Sequence, residues 1–196
     1  MPSPPNNCDA DPMSSALPPA NPDENVNESP RALILGRVGP LASAIRAALR
    51  AAGIPCELSS PEAPAQGTDE HSRVDILVVL EPPAGDWKAG YTAAMGRRKW
   101  GRVIHVSEEL PAMDAAQLAS LGVNENLVQW AGLAELSATE AELRQARVPA
   151  IGRPVTCAEV AEVVAFLASP LAGYIVGARI PVTGGLGLGL YPEQLS

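Results

Sequence analysis

Residues able to carry acid–base or nucleophilic chemistry gather in one short segment, His105-Val106-Ser107-Glu108-Glu109. A histidine next to a hydroxyl can act as its general base, and two adjacent carboxylates can share a proton. However, His105 alternates with apolar neighbours as strand residues do, which favours a partly buried strand histidine over a base. The two glutamates follow that strand, where solvated side chains are usual. No catalytic residue is therefore predicted in this segment.

The cysteines and histidines do not support a metal site. Cys8, Cys56 and Cys157 are widely spaced, odd in number and not paired with His71 or His105. No zinc pattern can be assembled from them, and reduced thiols in a cytosol-like compartment are expected. No apolar run has the length of a membrane span, and the N-terminus lacks a charged start with an apolar centre. The expected location is the cytoplasm, without membrane contact.

The charge balance argues against nucleic-acid binding. The net charge is −8, whereas a nucleic-acid groove needs clustered Lys and Arg to neutralise phosphates. The one basic cluster is Arg97-Arg98-Lys99 together with Arg102, and it is predicted to be a solvated helix end.

Short apolar runs bounded by turn residues predict buried parallel strands. Helical spacing of apolar residues, and a capping box at Thr156 and Glu159, predict helices between them. Strands that alternate with helices indicate an α/β fold, a Rossmann-like doubly wound parallel sheet in three layers. The predicted strands are 32–35, 56–58, 74–80, 102–106, 126–130 and 179–182, and predicted helices include 41–49, 115–121 and 156–167.

Composition divides the chain into three zones. Residues 1–30 are rich in Pro, Asn, Ser and acidic residues, and are predicted to form a disordered tail. Residues 31–190 are predicted to form the α/β domain, and residues 191–196 a C-terminal tail.

The C-terminal third carries a recognisable combination of segments. It contains a Gly152-Arg153 loop, a helix ending in residues 166–169 (Phe-Leu-Ala-Ser), a Tyr174-Ile-x-Gly turn and a last strand before Gly184-Gly185. This combination resembles the end of a short-chain dehydrogenase/reductase, a family of NAD(P)-dependent oxidoreductases. Too few residues lie between strands two and three for the helix, strand and helix that this resemblance implies there, because a single crossover already needs a dozen or more. That strand and its flanking helices are predicted to be deleted.

The resemblance places a cofactor-binding turn after the first strand. The family pattern there is Gly-x-x-x-Gly-x-Gly, and this sequence keeps Gly36 but has Pro40 and Ala42 at the second and third glycine positions. Pro40 removes an amide donor and adds a ring where a pyrophosphate must approach. The expectation is no cofactor or residual NAD(P). The vestigial cofactor-binding residues would be Gly36, Arg37, Gly39 and Leu41.

The family's catalytic Tyr-x-x-x-Lys pair is missing from this sequence. Tyr91, Tyr174 and Tyr191 each lack a lysine four residues later, and the catalytic serine position of the resemblance holds Glu108. Without a positioned proton donor, the hydride-plus-proton reaction of the family has no acid partner.

Two main functional hypotheses follow. In the first, the chain is a degenerate, non-catalytic relative that acts as a structural or regulatory subunit. It would pair through residues 158–169 and 179–182 with itself or with a full-length catalytic relative. In the alternative, it is an NAD(P)-dependent oxidoreductase of the family with displaced catalytic groups. A poorly folding gene fragment is a third reading.

Overall fold

The computed structural model describes residues 29–60, 73–83, 85, 87–131 and 150–185. Residues 1–28 and 186–196 lie outside these ranges, so the predicted limits of the two tails stay predictions. The described strands are β1 Ala32–Leu35, β2 Cys56–Ser59, β3 Ile76–Val79, β4 Gly101–Ser107, β5 Val123–Trp130 and β6 Arg179–Val182. The described helices are α1 Pro40–Ala51, α2 Trp87–Arg98, α3 Ala115–Ser120 and α4 Cys157–Ala168, followed by a 3-10 turn at Pro170–Ala172.

The described strands form one parallel sheet in the order β2-β1-β3-β4-β5-β6. The predicted parallel α/β fold is therefore confirmed. Within the described ranges β2 is an edge strand, whereas the usual dinucleotide-binding order 3-2-1-4-5-6 places another strand outside it. The strand predicted to be deleted would belong at that edge.

Apolar strand residues divide between two cores, one on each face of the sheet. Ile34, Val78 and Ile104 pack with α1 and α4 on one face. Leu33, Leu77 and Val103 pack with Met95 of α2 and Leu118 of α3 on the other. This alternation is the period of two that strands impose, and burial on both faces explains why the strands read as continuous apolar runs.

Strand β5 begins at Val123, three residues before the predicted start at Asn126. The prediction was wrong there because Asn124 and Glu125 interrupt the apolar pattern, yet Glu125 is completely buried. Asn126 fixes the neighbouring turn, since its Nδ2 donates to Ile175 O and its Oδ1 accepts from Ala178 N, both at 2.9 Å. That turn delivers the chain into β6.

Arg102 does not belong to a solvated helix end, contrary to the prediction. Arg97 and Arg98 do close the last turn of α2, but Arg102 lies in β4 and is only 4% exposed. Along β4, Arg102 lies on the face of the sheet that packs against α1 and α4, whereas Val103 lies on the opposite face. Strand alternation therefore buries a guanidinium that sequence proximity had grouped with exposed charges.

The start of α4 is held by the predicted capping box, which the structure confirms. Thr156 Oγ1 accepts from Glu159 N at 3.2 Å, and Glu159 Oε2 accepts from Thr156 N at 2.9 Å. Arg153 also donates to this carboxylate. The hydrogen bond from Arg153, and then those from Thr156, lower the pKa of Glu159 to about 2.

We expect Thr156→Ala to lower the free energy of unfolding by about 1 kcal/mol, because it removes one half of the capping box. Thr156→Ser is the matched control and should stay close to wild type, since it keeps the hydroxyl acceptor. Because the folded pKa of Glu159 lies below its ordinary value, its contribution is present above about pH 4.3 and is lost as pH falls toward 2. Urea denaturation should therefore show a smaller difference in the free energy of unfolding between wild type and Thr156→Ala at pH 2.5 than at pH 7. An equal difference at both pH values would contradict this account.

Candidate functional site

The sheet has one point where its strand order reverses, between β1 and β3. Ligands of open parallel sheets bind in the crevice at the carboxyl ends of the strands at such a point. The structure places three of the four predicted cofactor residues in the turn between β1 and α1 and the fourth, Leu41, in the first turn of α1. These residues are Gly36, Arg37, Gly39 and Leu41.

The crevice wall opposite Gly36 is the side chain of Leu80, which follows β3. A Cβ added to Gly36 would lie 2.8 Å from Leu80 Cβ, so this glycine is required for the close approach of two chain segments. Leu80 N donates to Leu35 O at 2.9 Å, which fixes Leu80 at the end of β1. The space beside the turn is therefore filled by an apolar side chain of the protein itself.

An ion pair joins the two sides of the crevice mouth. Arg37 Nε lies 3.4 Å from Glu81 Oε2, and their side chains are 69% and 47% exposed. Arg37 is one of the four predicted cofactor-binding residues, and in the structure it pairs with a neighbouring carboxylate. An exposed pair of this kind is weak, so it narrows the mouth without locking it.

Helix α1 presents an incomplete anion site. Gly39 is its N-cap in an extended conformation, and Pro40 occupies its first turn without an N–H. Leu41 is 7% exposed and packs into the core, so only its backbone amide faces the crevice end of the helix. Proline suits the first helical position, where its amide would have no intrahelical partner, but that amide is one a pyrophosphate would use. With Leu80 beside Gly36, these residues do not fit a dinucleotide pyrophosphate as a glycine-rich turn does.

The candidate acid–base segment is not assembled into a catalytic group. Ser107 Oγ accepts from Glu109 N at 3.1 Å, and Glu108 is exposed, with its backbone oxygen accepting from Gln129 Nε2 at 3.1 Å. The His105 ring points elsewhere, into the layer between the sheet and α2. Its partner there is Glu125, which the sequence did not single out.

Glu125 is the centre of a buried charge network formed by β4, β5, α2 and the residue before α3. His105 Nε2 lies 2.8 Å from Glu125 Oε1 and donates to it, since an ionised carboxylate only accepts. Lys88 Nζ lies 2.5 Å from the same oxygen and 3.1 Å from Asp114 Oδ2. The other carboxylate oxygen accepts from Asp114 N at 2.6 Å. Both carboxylate oxygens of Glu125 therefore accept hydrogen bonds, as a buried carboxylate requires.

The electrostatics of this network favour fixed charges over proton transfer. Burial works to raise the pKa of Glu125, but the hydrogen bonds from His105 and Lys88 outweigh it and lower that pKa. Burial likewise works to lower the pKa of Lys88, and the hydrogen bonds to Glu125 and Asp114 outweigh it and raise that pKa. Each group is held further from neutral pH, whereas a general acid or base needs a pKa near it. The network is suited to holding α2 and α3 on the sheet.

Lys88 and Tyr91 lie three residues apart on α2, a spacing that places two side chains on one helix face. They do not form a substitute for the family's catalytic pair. Burial raises the pKa of the Tyr91 hydroxyl, whereas the chemistry requires that pKa to be lowered. Lys88 is already engaged by two carboxylates.

The network could be found from the sequence only in part. His105 shows strand alternation. Glu125, however, is 20 residues from His105 and 37 residues from Lys88 in the sequence, and no local pattern pairs them. The one available signal is a glutamate between Val123 and Leu127, at a position that alternation directs inward.

The described ranges hold neither a metal cluster nor a membrane-spanning helix. Among those residues, no group of three or more His, Cys, Asp or Glu side chains could hold a metal ion. In the same ranges, no helix has the length and apolar character needed to cross a membrane.

Sequence comparison relates the chain to known reductases. A profile of the family described as enoyl-(acyl carrier protein) reductase matches residues 115–187. The 3-oxoacyl-[acyl-carrier-protein] reductase MabA of Mycobacterium bovis is 36% identical over 125 residues, which is 61% of this chain and 48% of that protein. MabA of Mycobacterium tuberculosis matches equally. The chain therefore spans about half the length of the curated relatives it matches.

Solved structures share the fold at low sequence identity. A short-chain dehydrogenase/reductase family oxidoreductase from Burkholderia thailandensis aligns with a TM-score of 0.64 and 21% identity, over 83% of this chain and 94% of that one. The 3-alpha-hydroxysteroid dehydrogenase from Pseudomonas sp. B-0831, solved with NADH, gives 0.60 and 18%, over 80% and 96%. YwfH, an NADPH-dependent reductase of bacilysin biosynthesis, gives 0.64 and 17%, over 81% and 100%. The chain is therefore similar in part of its sequence to known reductases, and it shares its fold with members of the short-chain dehydrogenase/reductase family.

Proposed function

We propose that this chain is a non-catalytic family member, a cytoplasmic structural or regulatory subunit that does not depend on NAD(P). It pairs through residues 158–169 and 179–182 with itself or with a full-length catalytic relative. The observation that carries the proposal is a set of exposed apolar side chains on and after α4. These side chains are Phe166 (42% exposed), which lies within residues 158–169, and Leu171 (84%), Tyr174 (101%) and Val176 (42%), which lie in the segment between the two pairing ranges.

An exposed apolar residue alone is ordinary, but several close together mark an interaction surface. Phe166 points away from the core into which Val160, Val164 and Leu167 of the same helix pack. The adjacent strand β6 pairs with β5 and is an edge of the described sheet. Pro181 lies within that edge strand and cannot donate a ladder hydrogen bond. Side-chain packing across α4 is therefore the favoured mode of pairing, ahead of sheet extension.

The crevice supports the non-catalytic half of the proposal. Leu80 fills the space beside Gly36, Pro40 removes a phosphate-binding amide, and Lys88 is held by buried and exposed carboxylates. A working site needs an accessible cofactor and a positioned proton donor, and these residues supply neither.

A second candidate function is an NAD(P)-dependent oxidoreductase with displaced catalytic groups. One observation favours it: the indole Nε1 of Trp130, at the carboxyl end of β5, is buried and has no hydrogen-bond partner among the described residues. A buried donor without an acceptor calls for an explanation, and a ligand carbonyl would supply one. Several family relatives carry cofactor or reductase names, which agrees with this candidate.

The pairing surface is tested by Phe166→Asp, which should convert an assembled protein into monomer, because a carboxylate would be desolvated in the interface. Leu110→Asp is the matched control, since Leu110 is also exposed (54%) but lies in the loop after β4. Sedimentation equilibrium gives the mass of each variant alone. If the wild type is monomeric alone, the same variants are compared for co-purification with a full-length reductase of the family from the same source. Equal behaviour of Phe166→Asp and wild type in both measurements would sink the pairing proposal.

Cofactor binding is tested separately by titration with NADH and NADPH, monitored by energy transfer from tryptophan to the nicotinamide. The non-catalytic proposal expects no saturable transfer. Saturable transfer that is lost in Trp130→Phe would instead favour the second candidate and would place the nicotinamide near Trp130 at the end of β5.

A further inference from the structure

The exposed side chains of α4 form one line along the helix. Ala158, Glu162 and Phe166 are exposed, and every other residue of this helix is buried or half-buried. Their spacing of four places the three side chains on one side of the helix, each one turn from the next. We name these three residues the outer stripe. Any partner that docks on α4 must therefore contact a carboxylate in the middle of the stripe, with a methyl group on one side of it and a phenyl ring on the other.

The chain places no cation beside Glu162. Within the described ranges Glu162 takes part in no ion pair. Residues 157–178, from the first residue of α4 to the residue before β6, contain two glutamates and no Lys or Arg. Arg153, ahead of α4, is already bound to Glu159 at 2.5 and 2.9 Å. A partner that covers Glu162 must therefore bring a cation with it, because a carboxylate that is desolvated without a partner is costly.

A second copy of the chain does not bring that cation. Two copies that pair through α4 about a two-fold axis across the helix contact each other reciprocally and run antiparallel. With the axis beside Glu162, in the middle of Cys157–Ala168, Phe166 of one copy meets Ala158 of the other, a large side chain over a small one. The same axis sets Glu162 against Glu162. If the axis shifts by two residues, Glu162 meets Phe166 of the other copy, which leaves the carboxylate against an apolar ring.

Arg179, the cation in the second pairing range, does not lie opposite Glu162 in such a pair. It is exposed at the start of β6, and parallel strands all start at one edge of the sheet. Helix α4 ends at that same edge, since Arg102 at the start of β4 donates to Ala172 O, just after the helix. Glu162 lies six residues before the end of α4, about 9 Å along the helix axis.

We propose that Glu162 prevents self-pairing through α4 and selects a different chain as the partner. The facing surface of that chain combines an apolar recess for Phe166 with a Lys or Arg opposite Glu162. This inference rests on the pairing surface proposed above, and charge complementarity favours the separate relative over a second copy. Like charges that face each other oppose association, whereas unlike charges favour it. One exposed carboxylate thus rejects the first partner and recognises the second.

The Glu162→Lys variant of this chain is the probe for such a partner. It presents the same apolar side chains with the opposite charge in the middle of the stripe, and Glu162 is exposed, so the substitution should leave the fold unchanged. We expect wild type and Glu162→Lys to be monomeric alone and their equimolar mixture to form a mixed dimer in sedimentation velocity. The mixed affinity should exceed either self-affinity by at least about tenfold, and it should fall as salt is added.

Three further variants separate the stripe from charge in general. Glu109→Lys is the matched control, since Glu109 is also exposed but follows β4, and its mixture with wild type should stay monomeric. Phe166→Asp, added to Glu162→Lys, should abolish the mixed dimer. Glu162→Gln removes the repulsion without adding a cation, and it should self-associate more strongly than wild type.

The outcomes distinguish this inference from the pairing surface on which it rests. A wild type that is dimeric alone, and monomeric as Phe166→Asp, would overturn the selection by Glu162 and keep the pairing surface. A mixture of wild type and Glu162→Lys that stays monomeric would also overturn the selection. A mixed dimer that survives Phe166→Asp, or that forms equally with Glu109→Lys, would place the contact elsewhere and would overturn both.

Discussion

Glu125→Ala should lower the free energy of unfolding by about 3–5 kcal/mol, the cost of removing one partner from a buried charge pair. The change leaves the Lys88 ammonium, the His105 ring and the Asp114 amide without their shared acceptor. Lys88 has only 17% of its side chain exposed, so water cannot fully replace the lost carboxylate. Urea denaturation of the purified variant measures the loss.

Two control variants test the reason for that loss. Asp114→Asn changes a carboxylate that is 61% exposed, and it should cost no more than about 1 kcal/mol. Glu125→Leu combined with Lys88→Met replaces the pair by apolar groups and should recover part of the stability lost in Glu125→Ala. If Glu125→Ala and Asp114→Asn destabilise equally, the buried network is not what holds α2 and α3 on the sheet.

The same network gives stability a defined pH range. The folded pKa of Glu125 is lowered, so its contribution is present above the ordinary value of about 4.3 and is lost as pH falls through the folded value. The folded pKa of Lys88 is raised, so its contribution is present below about 10.4 and is lost as pH rises through the folded value. The deficit of Glu125→Ala should accordingly stay large between these limits and shrink in acid.

Gly122→Ala should cost about 3 kcal/mol or more, from a strained backbone and a steric clash together. Gly122 has φ +80°, and an added Cβ would lie 2.6 Å from the carbonyl carbon of Lys99 and closer still to its oxygen. Lys99 itself adopts a φ of +54°. The turn before β4 and the turn before β5 therefore contact each other backbone to backbone, and neither can retreat.

Gly90→Ala is the matched control for that substitution. Gly90 lies within α2, and an added Cβ would meet nothing within 4 Å. The change should raise stability by about 0.5–1 kcal/mol, because alanine favours the helix. Thermal denaturation of the two variants side by side should shift the midpoint in opposite directions. A Gly122→Ala midpoint at or above wild type would show that the two turns move apart freely.

Much of the fold could be predicted from local patterns, and the errors have physical causes. Strand β6 was predicted with its correct limits at Arg179 and Val182, because an apolar run there is bounded by turn residues. Strand β5 was started too late because Glu125 reads as a surface residue until its partners are known. The burial of Arg102 was missed for a related reason: it was grouped with the basic residues Arg97 and Lys99, which are exposed, but it lies in the buried strand β4.

The candidate site was harder to predict than the fold. The position of Gly36, Arg37, Gly39 and Leu41 follows from the order of strand, turn and helix. The closure of the crevice does not, because Leu80 and Glu81 reach Gly36 and Arg37 across more than forty residues of sequence. The role of these four residues in holding a cofactor stays a prediction for titration to test.

The strand order has a consequence for how the protein is made. Counted from the N-terminus, β2 is added to one side of β1, β3 to the other, and β4, β5 and β6 each to the outer side of the strand before it. None of the strands that the structure describes has to be inserted between two that are already paired, so the sheet can grow while the chain leaves the ribosome. Until β6 emerges, the edge of β5 is unpaired and Asn126 lacks both of its partners at Ile175 and Ala178. The nascent chain is therefore most exposed to misassembly in the interval between the emergence of β5 and that of β6.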